Sequence, residues 1–190
     1  MKALEEKILK EGTVLPGDIL KVGSFLNHQI DTAFMMEMGK EIANIYKNDN
    51  VTKIVTIETS GLPIAFVAGF SLGCPMVFAK KGTSANVSGE VYKANVYSYT
   101  HGKTYEVTLP KQYLSGSDRV VIVDDFLANG KALEGLIDIV NQSGATLVGC
   151  TCAIEKGFQK GGDKLREKGI RVESLAVVES MSEDSLTFRK

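Results

Sequence analysis

Val120, Val121, Ile122 and Val123 form an unbroken β-branched run that stops at Asp124-Asp125 and leads, past Asn129-Gly130, into Leu133, Leu136, Ile137 and Val140 at helical spacing. A strand that is apolar at every position needs cover on both faces, which is the pattern of a central strand in a parallel sheet. Parallel neighbours need crossover connections, so the run commits the chain to helices on both sides of a sheet.

The helix after Asn129-Gly130 stops at Gly144, and Ala145–Ile154 supplies a next strand. An earlier unit has the same form. Thr52–Glu58 is rich in β-branched residues, Thr59-Ser60-Gly61-Leu62-Pro63 marks a turn, Pro63–Leu72 is an apolar helix, and Met76–Lys80 a short strand. Two such units predict an α/β fold with a mainly parallel, doubly wound sheet. Before them, Met1–Lys10 reads as a short helix, and Ile30, Phe34, Met38, Ile42 and Ile45 as a second one running to Lys47. Between them, Gly82–Ser117 is polar, carries Gly89, Gly102 and Gly116, and alternates in Glu90–Tyr99 and Thr104–Leu109 around His101-Gly102. This segment is too short for a core of its own and reads as a β-hairpin or flap. Lys160–Gly169 reads as a solvated charged helix and Arg171–Val178 as a last strand. A single domain over residues 1–190 is the expectation.

Composition limits the partners. Lys and Arg total 22 against 23 acidic residues, so no electrostatic footprint for nucleic acid or an anionic membrane is present, and a bound phosphate must be held locally. Cys74, Cys150 and Cys152 have neither zinc nor redox spacing and read as reduced core thiols. Met1–Lys10 has no apolar leader core, and no apolar run approaches the roughly 20 residues of a membrane span, so the cytoplasm is the expected location.

The chemistry is concentrated at the end of the apolar strand. Asp124 and Asp125 suit sugar hydroxyls or a cation, whereas the amides of the following loop and the positive end of its helix, beside Lys131, suit a phosphate dianion. A triphosphate-binding Walker loop is the competitor suggested by Gly130-Lys131. It needs a glycine and a hydroxyl where this chain has Asp125 and Ala132. Phosphoribosyl pyrophosphate (PRPP) carries a sugar diol and a phosphate in one molecule. Ser60-Gly61, before a helix start, can also expose amides to an anion, although most such turns bind nothing. Lys80 and Lys81 read equally as a solvated pair or as cations for pyrophosphate. His28 and His101 have no carboxylate partner at a telling spacing.

Val120–Ala132 resembles the PRPP-binding signature of type I phosphoribosyltransferases, a hydrophobic strand followed by two acidic residues and a small-residue loop containing glycine. The variant Asp-Asp-Phe-Leu-Ala-Asn-Gly-Lys-Ala is most similar to that of the bacterial xanthine phosphoribosyltransferase branch. It departs from the commoner pattern at Ala128 and Lys131, where small hydroxyl residues usually stand. The resemblance covers nearly the whole chain. It implies a type I phosphoribosyltransferase fold with a β flap over Gly82–Ser117 and an N-terminal hood. It also implies ribose on Asp124 and Asp125, and 5-phosphate on Ala128, Asn129, Gly130, Lys131 and Ala132. Pyrophosphate falls to Ser60 and Gly61 with Lys81, and the base to Leu20, Asn27 and Lys156. Mg²⁺ is expected to arrive with PRPP, without direct protein ligands, and a homodimer is the implied assembly. For Phe158, core packing is a better reading than base stacking. Hypoxanthine, guanine or adenine as the base, and a PRPP-sensing regulator, are the alternative readings. Such regulators carry a DNA-binding module for which the first 50 residues show no basic recognition helix.

Overall fold

The computed structural model describes residues 1–82, 89–98, 102–182 and 185–189. His101, Tyr99 and residues 83–88 of the expected flap lie outside them.

The chain opens with helix α1 (Lys2–Glu11), a small hairpin of β1 (Thr13–Leu15) and β2 (Ile19–Lys21), a π-helical turn over Gly23–Asn27, and helix α2 (Thr32–Tyr46). The Asp31 carboxylate caps α2 by accepting the Phe34 N–H at 3.1 Å. The main sheet follows: β3 (Lys53–Ile57), α3 (Leu62–Leu72), β4 (Met76–Lys81), a hairpin of β5 (Val91–Ser98) and β6 (Lys103–Pro110), then β7 (Arg119–Leu127), α4 (Lys131–Ser143), β8 (Thr146–Lys156), α5 (Gly161–Glu167), β9 (Val172–Ser182) and β10 (Ser185–Phe188).

Eight strands stand in the order β10-β9-β8-β7-β3-β4-β6-β5. The pairs β9–β8, β8–β7, β7–β3 and β3–β4 are parallel, and an antiparallel strand or hairpin closes each edge. The doubly wound reading of the two βαβ units is thus the observed architecture. Winding reverses between β3 and β7, because α3 carries the chain to β4 on one side while α4 carries it from β7 to β8 on the other. A crevice at the carboxyl ends of the strands opens at such a reversal.

Alternation in β7 sorts the core. Val121 and Val123 pack with Leu4, Met38, Ile42 and Ile64 of α1, α2 and α3, whereas Val120 and Ile122 pack with Leu133, Leu136 and Ile139 of α4 and with the β5–β6 hairpin. No helix among the described residues is long and apolar enough to cross a membrane.

Three local readings change. The charged helix expected over Lys160–Gly169 is the shorter α5, whose first residues Gly161 and Gly162 and whose Leu165 are buried. Chain beyond Val178 does not stop pairing, since β9 runs on to Ser182 and folds back as β10. Residues Gly12–Lys21, for which no element was expected, form the β1–β2 hairpin.

Helices α2 and α3 approach closely at Gly39, where a Cβ would stand 2.7 Å from the Val67 carbonyl oxygen. Alanine in a helix interior normally gains up to about 1 kcal/mol over glycine. Here the sign reverses: Gly39→Ala is expected to destabilise the protein by about 1–3 kcal/mol in urea unfolding, because backbone rather than a side chain must give way. A stabilised variant would mean that α2 and α3 slide apart freely.

Candidate active site

The site lies where β3 and β7 part. Their ladder ends at Val55 and Ile122, while β7 continues to pair with β8 as far as Leu127 opposite Glu155. The strand therefore does not end at the acidic pair; it runs past it, with one edge released from β3. Asp124 and Asp125 are both buried there. Successive strand residues start toward opposite sides, yet the two carboxyl groups remain within hydrogen-bonding reach of each other while meeting different neighbours. Asp124 Oδ1 would stand only 2.7 Å from a Cβ on Gly61, so it faces the turn after β3. Asp125 Oδ2 accepts the Asn27 Nδ2–H at 3.2 Å from the N-terminal segment.

Burial, and then the charge of Asp125, push the Asp124 carboxyl well above its ordinary range, while Lys81 partly offsets the rise. Asp125 is pushed up by burial too, and the Asn27 amide opposes that shift by donating to it. The site is built to hold negative charge that its own burial penalises.

Beyond Leu127, residues Ala128–Gly130 form the loop into α4, whose first residues are Lys131 and Ala132. Gly130 has φ +82°, a left-handed conformation that admits glycine without strain. The loop walls a cavity of about 190 Å³ whose opposite side is Tyr97 and Tyr105 of the hairpin. The Lys131 ammonium is turned along α4 to Glu134 Oε2 at 2.7 Å, so what the loop presents to the cavity is chiefly backbone.

The turn after β3 begins with a cis peptide between Glu58 and Thr59. Glu58 Oε1 accepts the Lys81 N–H at 2.8 Å, tying the turn to the end of β4. Gly61 precedes α3, and a side chain there would collide with Thr56 Oγ1 at 2.4 Å as well as with Asp124. Only glycine lets this turn close onto the acidic pair. The Lys81 ammonium stands 4.9 Å above the Tyr105 ring, on the hairpin side of the crevice.

Of the residues expected at a base, Asn27 and Lys156 converge on neighbouring positions. Asn27 bonds Asp125, and the Lys156 ammonium lies 5.6 Å from the centre of the Phe126 ring while donating to the Asp18 carbonyl at 2.7 Å. Lys156 is partly buried, and burial lowers its pKa. Leu20 is buried on the same β1–β2 hairpin that carries Asp18. Phe158 packs against the core cluster of the α1–α3 side, as its packing reading holds. Sequence reasoning passed over Phe126, an aromatic immediately after the acidic pair, and Tyr105. The first had a signal in its position; the second lay in a segment read only for its alternation.

The raised Asp124 carboxyl has a stability consequence. A carboxyl whose pKa rises on folding binds its proton more tightly in the native chain, so its contribution is best below the reference value of 3.8 and worsens as pH climbs through the native value. Asp124→Asn keeps the oxygen that accepts the Asp125 N–H at 2.9 Å and removes the buried charge. In calorimetry without ligand, the variant is expected to melt roughly 3 °C or more above the wild type at pH 7.5, with the gap closing toward pH 4. A variant that melts below the wild type at pH 7.5 would refute the buried-charge cost.

Comparison with known proteins agrees with this architecture. The phosphoribosyl transferase domain family matches residues 27–178. Xanthine phosphoribosyltransferases of Bacillus cereus strain AH187 and Bacillus anthracis are 53% identical over 188 residues, which is 99% of this chain and 95% of theirs. Among solved structures, an adenine phosphoribosyltransferase from Giardia lamblia, complexed with 9-deazaadenine, superposes with a TM-score of 0.80 at 23% identity, covering 94% of this chain and 98% of that one. One from Trypanosoma brucei, in complex with AMP, pyrophosphate and ribose-5-phosphate, gives 0.75 at 21%, covering 92% and 78%. At those identities the structures speak for the fold, whereas the domain match and the Bacillus relatives settle the lineage: the chain belongs to the phosphoribosyl transferase family.

Proposed function

We propose that the protein transfers the 5-phosphoribosyl group of PRPP to xanthine, giving XMP and pyrophosphate. The observation that carries this reading is the Asn27–Asp125 hydrogen bond of 3.2 Å, which joins the segment expected to meet the base to the acidic pair expected to meet the ribose. The Bacillus relatives named for this activity support the choice of base.

In the proposed reaction Asp124 and Asp125 accept from the ribose diol, and the amides of Ala128–Ala132 hold the 5-phosphate. Ser60, Gly61 and Lys81 take the pyrophosphate, next to Asp124 across the Gly61 contact. A base nitrogen then displaces pyrophosphate from ribose C1. Positive charge develops on the sugar beside two buried carboxylates, which removes the penalty that burial imposes on them. No protein nucleophile is required.

The residues fit Mg²⁺ carried in by its substrate. Among the described residues no group of three or more ligating side chains gathers, so pyrophosphate oxygens and water would supply its contacts, with the buried Asp124 carboxylate facing Gly61 close by. Such a cation neutralises charge on the leaving pyrophosphate.

For base choice, a lysine ammonium only donates. Lys156 therefore suits the 6-oxo group of xanthine, hypoxanthine or guanine and leaves adenine's amino group unmatched, at a cost of about 1–3 kcal/mol. Asn27 decides the 2-position. Because an ionised carboxylate only accepts, Asp125 holds the nitrogen end of the amide toward itself, and the second N–H of that nitrogen is available to a 2-oxo group.

Free Cys74, Cys150 and Cys152 suit a reducing compartment, and the cytoplasm is where the protein is proposed to act. A homodimer is the proposed assembly. Helix α3, which follows the pyrophosphate turn, is apolar on every face, yet Phe66 and Phe70, one turn apart, remain 61% and 69% exposed in the single chain. A helix apolar all round is normally buried, and a second copy of this chain is the occupant proposed.

With PRPP and Mg²⁺, pyrophosphate release is expected to be fastest with xanthine and about 100-fold or more slower with adenine in kcat/KM. Lys156→Ala and Asn27→Ala should raise KM for xanthine while leaving KM for PRPP nearly unchanged, and the double change Asp124→Asn with Asp125→Asn should do the reverse. A wild type that prefers adenine defeats the proposal. Phe70→Glu is expected to shift sedimentation from dimer to monomer; a wild type that sediments as a monomer at micromolar concentration would refute the assembly.

A further inference from the structure

Glu155 is wholly buried, one residue before Lys156 and opposite Leu127 of β7. Its oxygens accept Arg166 Nη1 at 2.9 Å and Nη2 at 2.7 Å, and Oε2 also accepts the Ser174 hydroxyl. This is a two-pronged pair, the geometry that a planar guanidinium makes and an ammonium does not. Arg166 further donates from Nε to the Val172 carbonyl at 3.2 Å and from Nη1 to Asp163 Oδ1 at 3.3 Å. Both groups are thus engaged by protein partners, Glu155 fully buried and Arg166 partly exposed. A buried ion pair is by itself poor evidence of stabilisation, so what the pair positions matters more than what it adds to stability.

It positions the start of α5. A Cβ on Gly162 would stand 2.1 Å from Glu155 Oε1, and one on Gly161 would stand 2.1 Å from the Ala128 carbonyl oxygen and 2.6 Å from Gly130 N. Two successive glycines therefore let α5 fill the space between the ion pair and the loop after β7, backbone against backbone. The Gly161 N–H donates to the Ala128 carbonyl at 3.1 Å. In a trans peptide the C=O and N–H point in opposite directions. The 128–129 peptide is not among the cis bonds. Turning the Ala128 carbonyl toward α5 thus turns the Asn129 N–H away from it, into the loop read above as the 5-phosphate cradle.

We infer that Glu155 and Arg166 are positioning residues for PRPP: through Gly161-Gly162 they orient the Asn129 amide toward the 5-phosphate without touching substrate. The inference rests on the proposed placement of the 5-phosphate. Arg166→Lys keeps a positive charge opposite Glu155, and so the fold, but loses the fork. Gly161→Ala leaves the ion pair whole and displaces α5 from the loop. In both variants KM for PRPP is expected to rise about tenfold, the worth of one well-aimed donor, with KM for xanthine within about twofold of wild type. Calorimetric titration should show ribose 5-phosphate binding weakened by the same factor and inorganic pyrophosphate binding unchanged. A merely structural role would lower the melting temperature and the active fraction while leaving both KM values alone, and that result overturns the inference. Variants that bind ribose 5-phosphate as tightly as wild type overturn it too. A wild type that binds ribose 5-phosphate but releases no pyrophosphate from PRPP with any of the four purine bases would defeat the proposed reaction while the weakened binding of the variants sustains the role of Arg166.

Discussion

Two adjacent carboxylates held out of water at the fork between β3 and β7 are the constraint around which this molecule is arranged. Burial opposes the ionisation of both, and the charge of Asp125 further opposes that of Asp124. The surroundings answer with donors rather than with a permanent counter-ion in contact: Asn27 reaches Asp125 from the N-terminal segment, the Asp125 amide serves Asp124, and Lys81 acts from a distance. A site left in that condition is destabilised when empty, the expense expected where function rather than stability has chosen the residues.

The elements around the fork follow from closeness of backbone to backbone. Gly61 brings the turn after β3 against Asp124, Gly130 gives the loop after β7 its left-handed bend, and Gly161 and Gly162 bring α5 under that loop. None of these glycines serves flexibility. Each removes a side chain where two chain segments must touch, so the amides of these turns are backed by packed structure. The edge hairpin β5–β6 closes the remaining side of the loop cavity with Tyr97 and Tyr105, while β1–β2 closes the opposite end of the crevice through the Asp18 carbonyl and Lys156.

The two ends of the site also differ in character. In the proposed reaction the loop after β7 would meet the 5-phosphate with backbone donors, which are indifferent to pH and to the identity of what the phosphate carries. The proposed base end would rely on Asn27 and Lys156, whose side-chain donors discriminate, beside the Phe126 ring. Invariant handling of PRPP and selective handling of the base would then fall to different kinds of chemical group.

What the sequence determined by itself was the periodic part. The apolar run of β7, the helical spacing of α2 and α4, and the two βαβ units announced a parallel, doubly wound sheet, because burial of alternate or successive side chains is written into local pattern. The acidic pair and its glycine loop were legible for the same reason, being contiguous. Tertiary structure alone decided the rest. It alone showed that β7 runs past the pair, that Asp124 meets the Gly61 turn, and that Asn27 meets a carboxylate 98 residues away. It alone revealed a supporting element in α5, where composition suggested a solvated helix. Contacts between distant backbone atoms leave no periodicity behind, and a glycine that admits such a contact looks in sequence like any other glycine; only the folded chain shows what stands where its side chain would have been.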